Sequence, residues 1–385
     1  MIVINTEKLP IKIWAEEEDL EGFDEAIDQA KNLANHPLSK KYVCLMPDFH
    51  IGYGMPIGGV LATQGGVIAN AVGVDIGCGM VAGRTNLKAD DLSRELLQAI
   101  RLSVHKRIPV GMSHHKERQS SEHLDSYDFD DPVISKQLES AYYQIGSLGG
   151  GNHFIEIQAD QNDIVWIMLH SGSRNLGLQV CNYYHKIAKD YMDRFHSDIP
   201  DMDLAFLPEG VKEYEMYLKA MQFCMKFAED SRESMFKNVM AALEENGLKF
   251  DVPEKFDTHH NFASMENHFG QNLLIHRKGA VKAEGLVTIP GSMGTSSYIC
   301  EGLKPVESFN SCSHGAGRVL GRKQANSIIT HDQAVEAMQH VVFGIKMGDY
   351  DEMPMAYKDI DKVIEYQKDL VKPIFKLRPL AVCKG

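Results

Sequence analysis

The feature that most narrows what this chain can fold into is a series of short, glycine-rich polar segments between Pro47 and Arg318, each following a strand-like run. Loops of this kind carry function on a rigid scaffold. Spread so widely, they imply one site assembled from distant segments. No repeat, low-complexity tract or Pro/Gly/Ser linker divides the sequence. A length of 385 residues permits one large domain or two intimate ones. Lacking a linker, residues 1–385 read as one.

Between the loops, Ile2–Ile4 and residues 42–45, 164–169 and 286–289 have β-strand composition, and 90–105 and 135–145 have helical composition. The clearest helix is predicted over 211–243. There Val211, Tyr214, Leu218, Met221, Met225, Ala228, Phe236, Val239 and Leu243 recur every three to four residues. Its methionine-rich stripe reads as core. Residues 114–131 are polar and poor in aliphatics and are expected to form a long surface loop or flap, with His114, His115 and His123 solvated.

Bulk properties remove several classes. With 44% hydrophobic and 24% charged residues, the chain is globular, neither disordered nor fibrous. A net charge of -13 counts against a protein that coats nucleic acid through sheer basicity, though one local basic cleft could still hold RNA. Glu7, Lys8 and Pro10 interrupt the only apolar opening, so no signal peptide is expected. No run reaches the roughly 18 apolar residues of a membrane span. The expected location is cytoplasmic. The seven cysteines contain no CxxC pair and fit reduced thiols.

Familiar nucleotide motifs fail. Gly77-Cys-Gly-Met-Val-Ala82 satisfies a loose dinucleotide fingerprint, but Gly83, Arg84, Thr85 and Asn86 stand where its helix should begin. Gly-Lys never occurs, so there is no P-loop, and HExxH and GxSxG are absent.

A metal constellation remains. In Val72-Gly-Val-Asp-Ile-Gly-Cys-Gly-Met80, glycines permit a tight turn that aims the Asp75 carboxylate and Cys78 thiolate at one point. His153, His170 and His260 sit in similar loops. One such histidine alone is ordinarily a structural residue; five candidate ligands together point to metal. The set suits Zn, Mn, Co or Fe without choosing among them. Two cations about 3.5–4 Å apart would suit phosphoryl chemistry.

Two further segments, His276-Arg-Lys-Gly-Ala280 and Pro290-Gly-Ser-Met-Gly-Thr-Ser-Ser-Tyr298, offer phosphate donors. In Ser311-Cys-Ser-His-Gly-Ala-Gly-Arg318, His314 lies between small residues that would let a phosphorus centre approach, and a neutral imidazole there could attack it. The penultimate Lys384 reads, on composition, as a solubilising tail.

Taken together, these motifs resemble the RtcB family of RNA-splicing ligases, from Pro47 to Lys384. The resemblance rests on Pro47-Asp-Phe-His-Ile-Gly52, Val74-Asp-Ile-Gly-Cys-Gly-Met80, Gly151-Asn-His-Phe154, His170-Ser-Gly-Ser-Arg174, His276-Arg-Lys-Gly-Ala280 and His314-Gly-Ala-Gly-Arg318. It implies an α+β fold particular to the family with one deep cleft, and two manganese ions held by Asp75, Cys78, His153, His170 and His260, with Cys78 bridging. It further implies that His314 takes GMP from GTP as a phosphoramidate. Asn152, His153, Phe154, Glu156, Asn261, Ser292, Ser297, Ala316, Gly317, Tyr357 and Lys384 would surround the nucleotide, which displaces the tail reading of Lys384. Arg174, Arg318 and Asn261 would hold phosphate oxygens.

The implied substrates are RNA ends, tRNA or ribosomal RNA fragments among them: a 2′,3′-cyclic phosphate or 3′-phosphate on one side and a 5′-hydroxyl on the other. Val319-Leu-Gly-Arg322 and Tyr53-Gly-Met55 depart from the family pattern and bear on which RNA is joined. Separately, the acidic charge and a length below that of many members suggest repair of cleaved tRNA or ribosomal RNA over intron splicing. The rival readings are a metal phosphoesterase that opens cyclic phosphates without joining, and a non-catalytic RNA-binding protein. The first leaves His314, Tyr357 and Lys384 without shared purpose. The second needs no thiolate and histidine cluster.

Overall fold

In the computed structural model, which describes residues 1–344 and 348–384, the aliphatic runs pair into two large sheets, giving a mixed α/β architecture. The six-stranded sheet has the order Ile2–Ile4, Ile11–Ile13, Ser39–His50, Ile57–Thr63, Gln271–Lys278, Asn261–His268. The seven-stranded sheet has the order Glu254–His259, Gly79–Lys88, Ile164–Ser171, Phe154–Ala159, Val371–Lys384, Ser297–Leu303, Glu284–Ile289. Among the described sheet pairings only Ile11–Ile13 with Ser39–His50 is parallel. The loose dinucleotide fingerprint runs directly into the strand Gly79–Lys88, with no helix after it.

Antiparallel order decides where the functional loops meet. Strands that alternate in direction bring the end of one beside the start of the next. Gly79 is opposite both His259 and Ser171, and Phe154 is opposite both His170 and Lys384. One edge of the seven-stranded sheet therefore gathers, in order, the surroundings of His260, Cys78, His170, His153 and Lys384. The chain also changes sheet at this edge: Glu254–His259 belongs to one sheet, Asn261–His268 to the other, and His260 is the single residue between them.

The predicted 211–243 helix is Lys212–Glu245, and its apolar stripe is core: Tyr217, Met221, Phe227, Met235, Val239 and Leu243 are buried. It packs against Arg174–Phe195 through Tyr184 and Tyr217, whose ring centroids are 5.4 Å apart. Arg232, midway along it, has a fully buried side chain that donates to Gly77 O and Ser171 O at 2.9 Å each and pairs with Asp257 at 2.7 Å. The longest helix is thereby tied to the loop that carries Cys78. Arg232→Met should lower unfolding free energy by about 2–4 kcal/mol, since it leaves the buried carbonyls of Gly77 and Ser171 without their donor. A urea midpoint equal to wild type would rule this out.

Three expectations need adjustment. The helix expected over 90–105 runs Arg94–Arg107, because Ser93 caps it by accepting from Leu96 N. Residues 114–131 contain a short helix, Glu122–Asp125, and are pinned to the long helix by His123 Nε2 and Phe223 O at 2.9 Å. Only His114 of the three histidines is exposed; His115 bonds Gly146 O at 3.1 Å. Lys384 ends a fourteen-residue strand between two others and is no frayed tail. All seven cysteines are buried and free, and no helix among the described residues is long and apolar enough to cross a membrane.

Candidate active site

At the gathered sheet edge, Cys78 is shared by two clusters of metal-ligating atoms. Asp75, Cys78 and His153 form one, and Cys78, His170 and His260 the other, with the ligand atoms of each within 4.8 Å of one another. Cys78 Sγ lies 3.4 Å from His153 Nε2 and 3.2 Å from His170 Nε2. Asp75 Oδ2 is 3.1 Å from His153 Nε2, and His170 Nε2 is 3.3 Å from His260 Nε2.

The tautomers follow from the second nitrogen of each ring. A carbonyl can only accept, so His153 Nδ1–H donates to Leu148 O at 3.0 Å and His170 Nδ1–H to Asn152 O at 3.1 Å. Their Nε2 lone pairs are left facing the thiol. Burial pushes His170 and His260 well below the ordinary imidazole range, so both are neutral, the metal-binding form. Burial, helped by Asp75, pushes the Cys78 thiol well up. A thiolate there requires a cation beside it. Burial raises Asp75, but its neighbours His153, Cys78 and Arg174 together outweigh that push and hold it low. This donor set, two ligand groups that share Cys78, fits divalent metal.

The second part of the site is His314, whose ring lies 4.7 Å from that of His260. Its Nδ1 is 2.6 Å from Asp48 Oδ2, and the same oxygen accepts from the backbone N–H of His314 at 3.1 Å and Gly315 at 3.2 Å. An acceptor already taking two backbone protons is a carboxylate, so Nδ1 carries the imidazole proton and Nε2 presents a lone pair. Asp48 is fully buried, and Lys358 closes over its backbone by donating to Pro47 O and Phe49 O at 2.9 and 2.8 Å. Gly317, with φ +77°, is required here: a Cβ would come within 2.8 Å of Asp48 Cα.

A cavity of about 690 Å³ opens beside His314, roomy enough for a nucleotide. Its lining includes Asn152, Phe154, Glu156, His170, Ser292, His314, Ala316, Gly317, Arg318, Tyr357 and Lys384, all expected site residues. At one end a buried Glu352 gathers Arg318 at 3.1 Å, Lys384 at 3.0 Å, Arg322 at 2.5 Å and the Tyr357 hydroxyl. Burial alone would raise Glu352, but Lys384, Arg322, Tyr357 and Arg318 hold it down at about 2. Burial raises Glu156 to about 8, against the bond from Gln158 and the charge of Lys384.

The remaining expected residues lie outside the lining. Asn261 braces the loops, donating to Asp75 O at 3.0 Å and accepting from Gly279 N at 2.8 Å. Ser297 Oγ accepts from Gly291 N and Gln158 Nε2 behind the cavity wall. Arg174 donates to Gly111 O at 3.0 Å and Ser147 Oγ at 3.3 Å, close to Asp75. Sequence reasoning missed Asp48 and Glu352 as site residues. Asp48 sits within the quoted Pro47-Asp-Phe-His motif and could have been singled out; Glu352, in Tyr350-Asp-Glu-Met353, has no local signal.

Known proteins match this chain along nearly its whole length. A family profile described as tRNA-splicing ligase RtcB matches residues 29–128 and 127–385. The RNA-splicing ligase RtcB of Escherichia coli strain K12 is 38% identical over 412 aligned positions, covering 100% of this chain and 99% of that protein. The tRNA-splicing ligases RtcB of Nanoarchaeum equitans and Methanococcus maripaludis are 31% and 30% identical, each over 98% of this chain and 95% of the relative. With a profile that spans most of its length and relatives that align nearly end to end, the chain belongs to the RtcB family.

Proposed function

We propose that the chain is a GTP- and manganese-dependent RNA ligase that joins a 3′-phosphate or 2′,3′-cyclic phosphate end to a 5′-hydroxyl end. The observation that carries this reading is His314: its Nδ1 is locked by Asp48, and it stands in the nucleotide-sized cavity beside the Cys78-centred cluster. Bound at Asp75, Cys78, His153, His170 and His260, the metal would neutralise phosphate charge and lower the pKa of a hydroxyl.

The chain's own groups perform the rest. His314 Nε2 attacks the α-phosphorus of GTP and pyrophosphate leaves, while Asp48 stabilises the charge that appears on the imidazole. Arg318, Arg322 and Lys384, concentrated by Glu352 at one end of the cavity, supply cations toward the nucleotide. A 2′,3′-cyclic end is first hydrolysed by water to the 3′-phosphate and a free 2′-hydroxyl; GMP then passes to the RNA 3′-phosphate, and the 5′-hydroxyl displaces it. A phosphate monoester is a poor electrophile; linked to GMP it has a good leaving group. Repair of cleaved tRNA or ribosomal RNA is the physiological role that the chain's acidity favours over intron splicing.

The test supplies two RNA fragments, one ending in a cyclic phosphate and one beginning with a 5′-hydroxyl, with GTP and Mn²⁺. A joined product that depends on GTP is expected. Opening of the cyclic phosphate without joining would replace the ligase with the phosphoesterase.

A further inference from the structure

His50 lines the cavity but belongs neither to the metal-ligating clusters nor to the loop that carries His314. It closes the motif Pro47-Asp-Phe-His50, at the end of the strand Ser39–His50, two residues from the carboxylate that orients His314. Its Nδ1 is 3.0 Å from Asp48 O. A carbonyl only accepts, so Nδ1 carries the proton and Nε2 holds a lone pair. That nitrogen has no partner among the described residues and is not among the buried unsatisfied atoms, so it is open to the cavity.

Apart from the nucleophile His314, the other proton acceptors of the lining are committed. Glu352 is saturated by cations, Glu156 takes a hydrogen bond from Gln158 at 2.5 Å, and His170 Nε2 faces Cys78. Asp24 and Glu25 are exposed at the rim. We propose that His50 is the general base for the joining step, accepting through Nε2 the proton of the incoming RNA 5′-hydroxyl. As that proton moves to Nε2, the 5′ oxygen bonds to phosphorus of the activated 3′ end, and the P–O bond to GMP breaks with its electron pair on GMP. The proton then passes to solvent. Burial, against the bond to Asp48 O, brings His50 down to about 4, so its lone pair is free at neutral pH.

The inference rests on the ligase reading, and the experiment separates the two. His50→Asn keeps a donor near Asp48 O and removes Nε2. Transfer of GMP to His314 and joining of a pre-activated 3′ end are timed separately in wild type and variant. General-base removal costs about 10²–10⁴, so joining should fall at least a hundredfold more than GMP transfer, and RNA activated with GMP should accumulate. His50→Gln, timed in the same way, guards against a folding defect peculiar to Asn. Equal losses in both steps, or none in either, would overturn the assignment of His50. Wild type that transfers no GMP and joins no RNA would overturn the ligase reading instead.

Discussion

His314→Ala should form no covalent guanylate when incubated with α-labelled GTP and Mn²⁺, whereas wild type should give an acid-labile adduct, as a P–N bond requires. Asp48→Asn should label roughly a thousandfold more slowly, by analogy with the orienting carboxylate of other histidine-based sites. The effect is large because Asp48 Oδ2 does three things: it fixes the tautomer of His314, offsets the charge that develops on the ring, and closes the backbone of His314 and Gly315 into the loop. An amide can accept from Nδ1 but carries no charge. Equal labelling of His314→Ala and wild type would remove the covalent mechanism. An unaffected Asp48→Asn would show that tautomer and charge are set elsewhere.

Loss of both metals at once is expected from Cys78→Ala. The sulfur belongs to both ligand clusters, while His153 belongs to one and His260 to the other. Metal analysis of the purified variants should therefore find Cys78→Ala stripped of manganese and His260→Ala retaining about half, with joining by Cys78→Ala down by roughly three orders of magnitude. If Cys78→Ala and His260→Ala retained equal metal, the shared-sulfur arrangement would be wrong.

Most of the site is legible in the sequence because its residues advertise themselves locally. Asp75, Cys78, His153, His170 and His314 stand among glycines that permit tight turns and close approach of neighbouring groups. What stays hidden depends on pairing across long separations. On composition Lys384 reads as a tail; the family resemblance displaces that reading, and the pairing of its strand with Phe154 supplies the physical reason. The bond between Asp48 and His314 spans 266 residues, and no periodicity reports it. Glu352 lies in an irregular stretch with no motif, and only the convergence of three cations on it reveals its place. The long helix is legible because its apolar stripe repeats along its whole length. The surface segment 114–131 reads as loose because its anchors, such as Phe223 O, are backbone atoms that composition does not record.

His260 carries more than a ligand atom. It is the whole of the connection between a strand of one sheet and a strand of the other, and its N–H donates to Cys78 O at 2.9 Å while its own carbonyl accepts from Ala280 N at 3.1 Å. A twist of one sheet against the other would change the spacing of His260 from Cys78. Cations seated there would act as a rivet between the two sheets, because His260 would hold the metal from the junction while Cys78 holds it from the other side.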